Sequence, residues 1–96
     1  MMKLFSLLRG RAKVEPHILV ALSDWCPACL EYKVVLNKVI STLPIKIVFV
    51  RPEQLRVPSI PTTLFVKSKK DTKMERGFMT YDSFCRKYND FFCKID

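Results

Sequence analysis

The run HILVALS, from His17 to Ser23, constrains the fold more than any other stretch of the chain. It holds no Asp, Glu, Lys or Arg and shows no polar alternation, the pattern of a strand covered on both faces and so placed inside a sheet. The next segment has helical spacing. From Cys26 onward, Tyr32, Val35, Leu36, Val39 and Leu43 recur on one face, while Lys33, Asn37 and Lys38 fall outside it. Pro27 suits a first turn, where a missing amide hydrogen costs nothing, and Pro44 stops the helix.

IKIVFVR, Ile45 to Arg51, is β-branched and aromatic and predicts a second strand. Two strands flanking a helix form a parallel βαβ unit. PEQLRVPSI, Pro52 to Ile60, leaves room for no more than one helical turn. PTTLFVKS and KMERGFM then predict an antiparallel hairpin whose tip, KSKKDTK (Lys67 to Lys73), reads as a solvated loop. Thr80 is a good N-cap and Asp82 favours the positive end of the helix it opens. Tyr81, Phe84, Tyr88, Phe92 and Ile95 supply that helix with an apolar stripe. The order is β-α-β-β-β-α, an α/β arrangement with helices on both faces of a four-stranded mixed sheet. The connection between the second and third strands is shortened. It need only step over one strand, roughly 10 Å at ~4.8 Å spacing, which residues 51–60 span at about 3.3 Å each.

With 96 residues, the chain makes one domain. Its 49% hydrophobic content argues against disorder, and two glycines and six prolines exclude low complexity. Residues 14–96 are expected to be the folded unit. Residues 1–13 form an N-terminal extension in which Met1, Leu4, Phe5 and Leu8 share one helical face; a short helix and a frayed terminus both stay open. The greasy stretch breaks at Arg9, short of the roughly 7–15-residue apolar region of a secretory signal. No run approaches the roughly 20 apolar residues of a membrane span. A cytoplasmic monomer is the expectation, in a compartment where thiols stay reduced. The net charge of +8 suggests attraction to acidic surfaces, whether protein, nucleic acid or anionic lipid; an acidic protein partner is the expectation, with neither membrane nor nucleic acid expected.

Cys26 and Cys29 sit where the first strand gives way to the helix. Unpaired N–H groups and the positive end of the dipole favour a thiolate at such a position. Cys29, one turn inward, lies on the same side of the helix and can approach Cys26. This permits a two-step exchange: Cys26 attacks a disulfide, and Cys29 displaces the reduced product from the mixed disulfide. Pro27 removes an amide donor beside the first sulfur and stiffens the turn. Asp24 reads as a solvated loop carboxylate, and Trp25 as an at least half-exposed apolar contact. In VPSIPTT, Val57 to Thr63, a cis bond at Ile60–Pro61 would leave the backbone of Ile60 free to pair with an extended substrate; an ordinary trans proline at a strand start is the alternative.

WCPAC, then IPTTLFV about thirty residues on, then RGF before a final helix resembles the thioredoxin–glutaredoxin superfamily over residues 17–96. The tryptophan is thioredoxin-like and the Cys-Pro-x-Cys spacing glutaredoxin-like. The resemblance implies a nucleophilic Cys26, a resolving Cys29, an active-site turn of Trp25, Pro27 and Ala28, and a cis-proline at Pro61 facing the cysteines. It also implies a substrate groove formed by Ile60, Pro61 and Thr62 and closed on the hairpin side by Gly77. The implied activity is protein-disulfide oxidoreduction, with ribonucleotide reductase a typical substrate of small relatives. Recharge falls to a flavoprotein reductase or to glutathione; no bound cofactor or metal is implied. The chain departs from the pattern in three places. The buried acid that thioredoxins carry six residues before the first cysteine is replaced by Val20. The double glycine that glutaredoxins use for glutathione is represented by Arg76-Gly77, with Asp82 later. The connection after the second strand lacks room for the usual helix.

Cys85 and Cys93, eight positions apart on one helix, lie about 12 Å apart at ~1.5 Å rise, beyond the roughly 7 Å that a disulfide spans. Cys85 reads as buried filler and Cys93 as an off-stripe thiol. Four-cysteine zinc binding fits poorly, since C-x2-C, a 55-residue gap and C-x7-C do not match structural zinc spacings. His17 reads as strand-edge packing. The main alternative to an oxidoreductase is a non-catalytic basic binding module on the same scaffold.

Overall fold

The computed structural model describes residues 15–93. The extension at residues 1–13 and the end of the final apolar stripe at Ile95 lie outside the described residues. Strand β1 (His17–Ala21) leads to helix α1 (Pro27–Thr42), strand β2 (Lys46–Val50) and the single turn α2 (Pro52–Leu55). Strands β3 (Thr62–Val66) and β4 (Thr72–Arg76) form the hairpin, and α3 (Tyr81–Phe92) completes the order. The sheet is four-stranded in the order β2-β1-β3-β4. β1 pairs parallel with β2 and antiparallel with β3. The connection from β2 to β3 steps over β1, and α2 is all the helix it holds.

Register decides which side chains share a face. Ile18 stands beside Ile47 and Phe65, and Val20 beside Phe49 and Thr63. On this face, Ile18, Val20 and Phe65 pack with Tyr32, Leu36 and Val39 of α1 and with Phe84 and Tyr88 of α3 to form the core. The opposite face is covered more thinly. Ala21 and Thr62 are buried, at the end where α2 lies against β1, whereas Leu19, Val48 and Leu64 are half-buried. Val66, at the far end of the same face, is buried as well, so the thin cover falls on the middle of the face.

The helices start and stop as their sequences dictate. Cys26 caps α1, Pro27 occupies its first turn, and the Leu43 amide donates to the Val39 carbonyl at its end. Thr80 caps α3 by accepting from the Ser83 amide at 3.2 Å. The Tyr81 hydroxyl donates to Thr42 Oγ1 at 2.8 Å, and Lys38 Nζ lies 4.3 Å from the centre of the Tyr81 ring, so the start of α3 is tied to the end of α1. Cys85, expected to be buried, is half-buried because it stands at the border of the α3 stripe rather than within it. Cys93 is exposed. His17 uses Nδ1 to donate to the Glu15 carbonyl oxygen at 2.7 Å, a local role at the strand edge.

Phe65 is the centre of an aromatic cluster, with ring centroids 5.5 Å from Phe84, 6.1 Å from Phe91 and 6.0 Å from Phe92. Truncating it removes contacts to α3 along its whole buried side. Phe65→Ala is expected to lose about 3–5 kcal/mol, a large share of the roughly 5–15 kcal/mol that holds a small domain together. Urea unfolding followed by far-UV circular dichroism measures the loss.

Candidate active site

Ala21 pairs with both Val50 and Thr62, and Thr62 pairs in turn with Arg76. The ends of all four strands therefore meet at one edge of the sheet. Three loops leave from there: residues 22–26, residues 51–61 and residues 77–80. Together with the first turn of α1 and the first residue of β3, they carry every residue that the sequence singles out for a site. The lysine-rich tip lies at the other end, where Val66 pairs with His17. It is folded on itself through amide donation from Lys67 and Ser68 to the Asp71 carbonyl.

Cys26 has extended backbone (φ −97°, ψ 115°) and is the N-cap of α1. Its Sγ accepts a hydrogen bond from the Cys29 amide at 3.2 Å, filling the place that a serine or aspartate oxygen holds in other helices. The positive end of the α1 dipole is thus aimed at this sulfur. Both thiols are free, and Cys29 is wholly buried beneath Cys26, which is 8% exposed. Burial pushes the Cys29 thiol above its ordinary range, and the neighbouring Cys26 pushes it further. Trp25 is 81% exposed, Pro27 is exposed and Ala28 is half-buried against the core. Asp24 is solvated, with an oxygen 3.7 Å from Lys33 Nζ.

In the second of these loops, the Ile60–Pro61 bond is cis. Ile60 packs on the same buried cluster as Cys26 and Cys29. Among the described residues, its backbone N–H and C=O have no hydrogen-bond partner. The Thr62 hydroxyl donates to the Ser59 carbonyl at 2.8 Å and holds the loop before Pro61 against β3. The Gly77 amide donates to the Pro61 carbonyl at 2.7 Å, which joins the hairpin side to the proline side. Gly77 has φ +88°, and a Cβ there would meet nothing within 4 Å. Glycine is required by the backbone conformation and not by lack of space.

Two features have no counterpart in the sequence reading. Phe78, after Gly77, is 44% exposed and its ring centre lies 5.8 Å from that of Tyr32. Trp25 and Phe78 are therefore exposed apolar groups in two of the three loops at this edge. The second is a hydrogen bond of 2.7 Å between the Tyr32 and Thr63 hydroxyls, both wholly buried, linking α1 to β3. Thr63 is the register partner of Val20. The polar group beneath the cysteines is thus a neutral pair of hydroxyls. Among the described residues, no three His, Cys, Asp or Glu side chains come together to hold a metal ion, and no helix is long and apolar enough to cross a membrane.

No protein-family model matches the chain, and no curated protein matches it in sequence. Solved structures do match in shape. The crystal structure of chloroplastic thioredoxin z superposes with a TM-score of 0.72 at 16% identity, over 83% of this chain and 80% of that one. The solution structure of reduced desulfothioredoxin from Desulfovibrio vulgaris Hildenborough gives 0.64 at 23% identity, over 85% and 83%. Oxidised thioredoxin O2 from Arabidopsis thaliana gives 0.66 at 17%, over 81% and 76%. The chain therefore has the thioredoxin-like fold, reached with little shared sequence.

Burial holds the Tyr32 phenol well above the usual tyrosine range, against a smaller opposing effect from Thr63. A buried phenol that stays neutral while its unfolded counterpart ionises favours the native state fully at low pH. That advantage is lost as pH rises past about 10, where the unfolded chain binds fewer protons. Tyr32→Phe is expected to flatten the fall in stability above about pH 10. At neutral pH it should cost about 1–3 kcal/mol through the orphaned Thr63 hydroxyl, much of it recovered in Tyr32→Phe/Thr63→Val. Urea unfolding at a series of pH values reads both effects.

Proposed function

We propose that the protein is a small dithiol–disulfide oxidoreductase acting on protein disulfides through Cys26 and Cys29. The observation that carries this reading is the Cys26 sulfur serving as the cap of α1, hydrogen-bonded to the amide of Cys29 one turn inward. In the first step the Cys26 thiolate attacks a substrate disulfide. A Cys26–substrate bond forms, the substrate S–S bond breaks, and one substrate sulfur leaves as a thiolate that takes a proton. In the second step Cys29 gives up its proton and attacks Cys26 Sγ. The Cys26–Cys29 disulfide forms, the mixed disulfide breaks and the second substrate sulfur leaves. Two electrons and two protons have then passed to the substrate.

The causes of the elevated Cys29 pKa suit this order. Part of the elevation comes from the hydrogen bond and charge of Cys26. Once Cys26 is bonded to substrate, its charge is gone and only burial still opposes ionisation of Cys29. The resolving thiol becomes easier to ionise when it is needed. Substrate would pair in extended form with the open backbone of Ile60, beside Pro61 and Thr62, in a groove ending at Gly77. Trp25 and Phe78 supply apolar contact on either side. Recharge falls to an external thiol donor, either two glutathione molecules in succession or the dithiol of a reductase protein, and the net charge of +8 suits an acidic partner.

Cys29→Ser is expected to accumulate covalent complexes with substrate proteins that dithiothreitol releases, because the second displacement is blocked. Cys26→Ser should trap nothing and reduce no insulin disulfides. Non-reducing electrophoresis and a turbidity assay read these outcomes. A Cys26→Ser variant with undiminished function would overturn the redox reading in favour of a binding module.

A further inference from the structure

Tyr32 touches both walls of the groove from below. Its hydroxyl is bonded to Thr63 at 2.7 Å, and Thr63 stands two residues after Pro61 on β3. Its ring lies 5.8 Å from Phe78, the neighbour of Gly77, and 6.5 Å from Phe84 of α3. Tyr32 itself is one turn below Cys29 on the buried face of α1. One side chain thus joins the helix that carries both sulfurs, the strand that begins at the proline and the loop that starts at the glycine.

From this convergence we infer that the Tyr32–Thr63 pair is a positioning strut, which fixes where the Cys26 sulfur sits relative to a substrate strand lying on Ile60 and Pro61. The inference rests on the oxidoreductase reading and adds to it the residues that set the attack geometry. Packing among Val20, Leu36, Val39 and Phe65 holds α1 on the sheet but is non-directional and tolerates small slides. A hydrogen bond has a preferred length and angle. Being wholly buried, this one has no water to exchange with, so a slide of α1 along β3 would leave two unpaired hydroxyls in the core. The strut is also uncharged. It holds the sulfur in place without adding a field to it, unlike a carboxylate in the position of Val20.

Two disulfides of different size separate this role from a purely structural one. A protein disulfide such as that of insulin must lie along the groove to reach Cys26. The small reagent 5,5′-dithiobis(2-nitrobenzoate) needs only access to the sulfur. In the full chain, Thr63→Val is expected to lower kcat/KM for insulin about tenfold, chiefly through kcat, a fraction of the ~10²-fold that a 1 Å misplacement can cost. Its rate with the small reagent should stay within about twofold of the parent, because nothing in the strut touches the sulfur. Thr63→Ser keeps the hydroxyl and should restore insulin reduction. Circular dichroism at the assay temperature confirms that each variant is folded, and Tyr32→Phe provides a second removal of the same bond if Thr63→Val is not. The inference is overturned if the folded variant reduces insulin as well as the parent, or if both substrates slow equally. A parent chain that reduces no insulin disulfide overturns the oxidoreductase reading itself, and the strut's role with it.

Discussion

β1 hydrogen-bonds to β2 along one edge and to β3 along the other, and Ala21 is the last residue of both ladders. Because one pairing is parallel and the other antiparallel, the chain leaves β1 and β2 and enters β3 at the same end of the sheet. β4 leaves at that end too, through the Thr62–Arg76 pair. This juxtaposition, set by backbone ladders rather than by contacts between side chains, brings a cysteine turn at 26–29 and a proline turn at 60–61 to the same end of the sheet. A slip of one residue in the β1–β3 register would turn Thr63 away from α1 and unmake the arrangement.

Much of this was legible in the sequence because it rests on local pattern. The helical period from Tyr32 to Leu43, Pro27 in the first turn, Pro44 after it and Thr80 before α3 each state a boundary, and the structure places α1 and α3 accordingly. The two cysteines were legible for the same reason: three positions on a helix is a fixed geometry. The Tyr32–Thr63 bond was not. Tyrosine on an apolar helix face and threonine in a strand are each ordinary, and their pairing across 31 positions depends on a strand register that composition does not encode. HILVALS overstated its own cover. An uncharged run implies burial on both faces, yet Leu19, in the middle of the thinner face, is half-buried.

Charge is arranged around the site more than within it. Glu75 lies between Lys73 and Lys87, at 3.6 and 3.3 Å, and Asp24 pairs with Lys33, all at partly or fully exposed positions where such pairs contribute little to stability. Beneath the cysteines there are hydroxyls, aromatic rings and aliphatic groups. Charge and apolar surface are thus separated, the ion pairs at the periphery and the uncharged floor under the two sulfurs.

Trp25 is the chain's sole tryptophan, stands beside Cys26 and is almost fully solvated. An indole in that setting is an intrinsic optical reporter. Its emission belongs to a water-exposed chromophore in the free protein, shifts toward the blue when another surface covers it, and senses the neighbouring sulfur chemistry at close range. The molecule carries its own spectroscopic readout beside the Cys26–Cys29 turn, where the proposed exchange would take place.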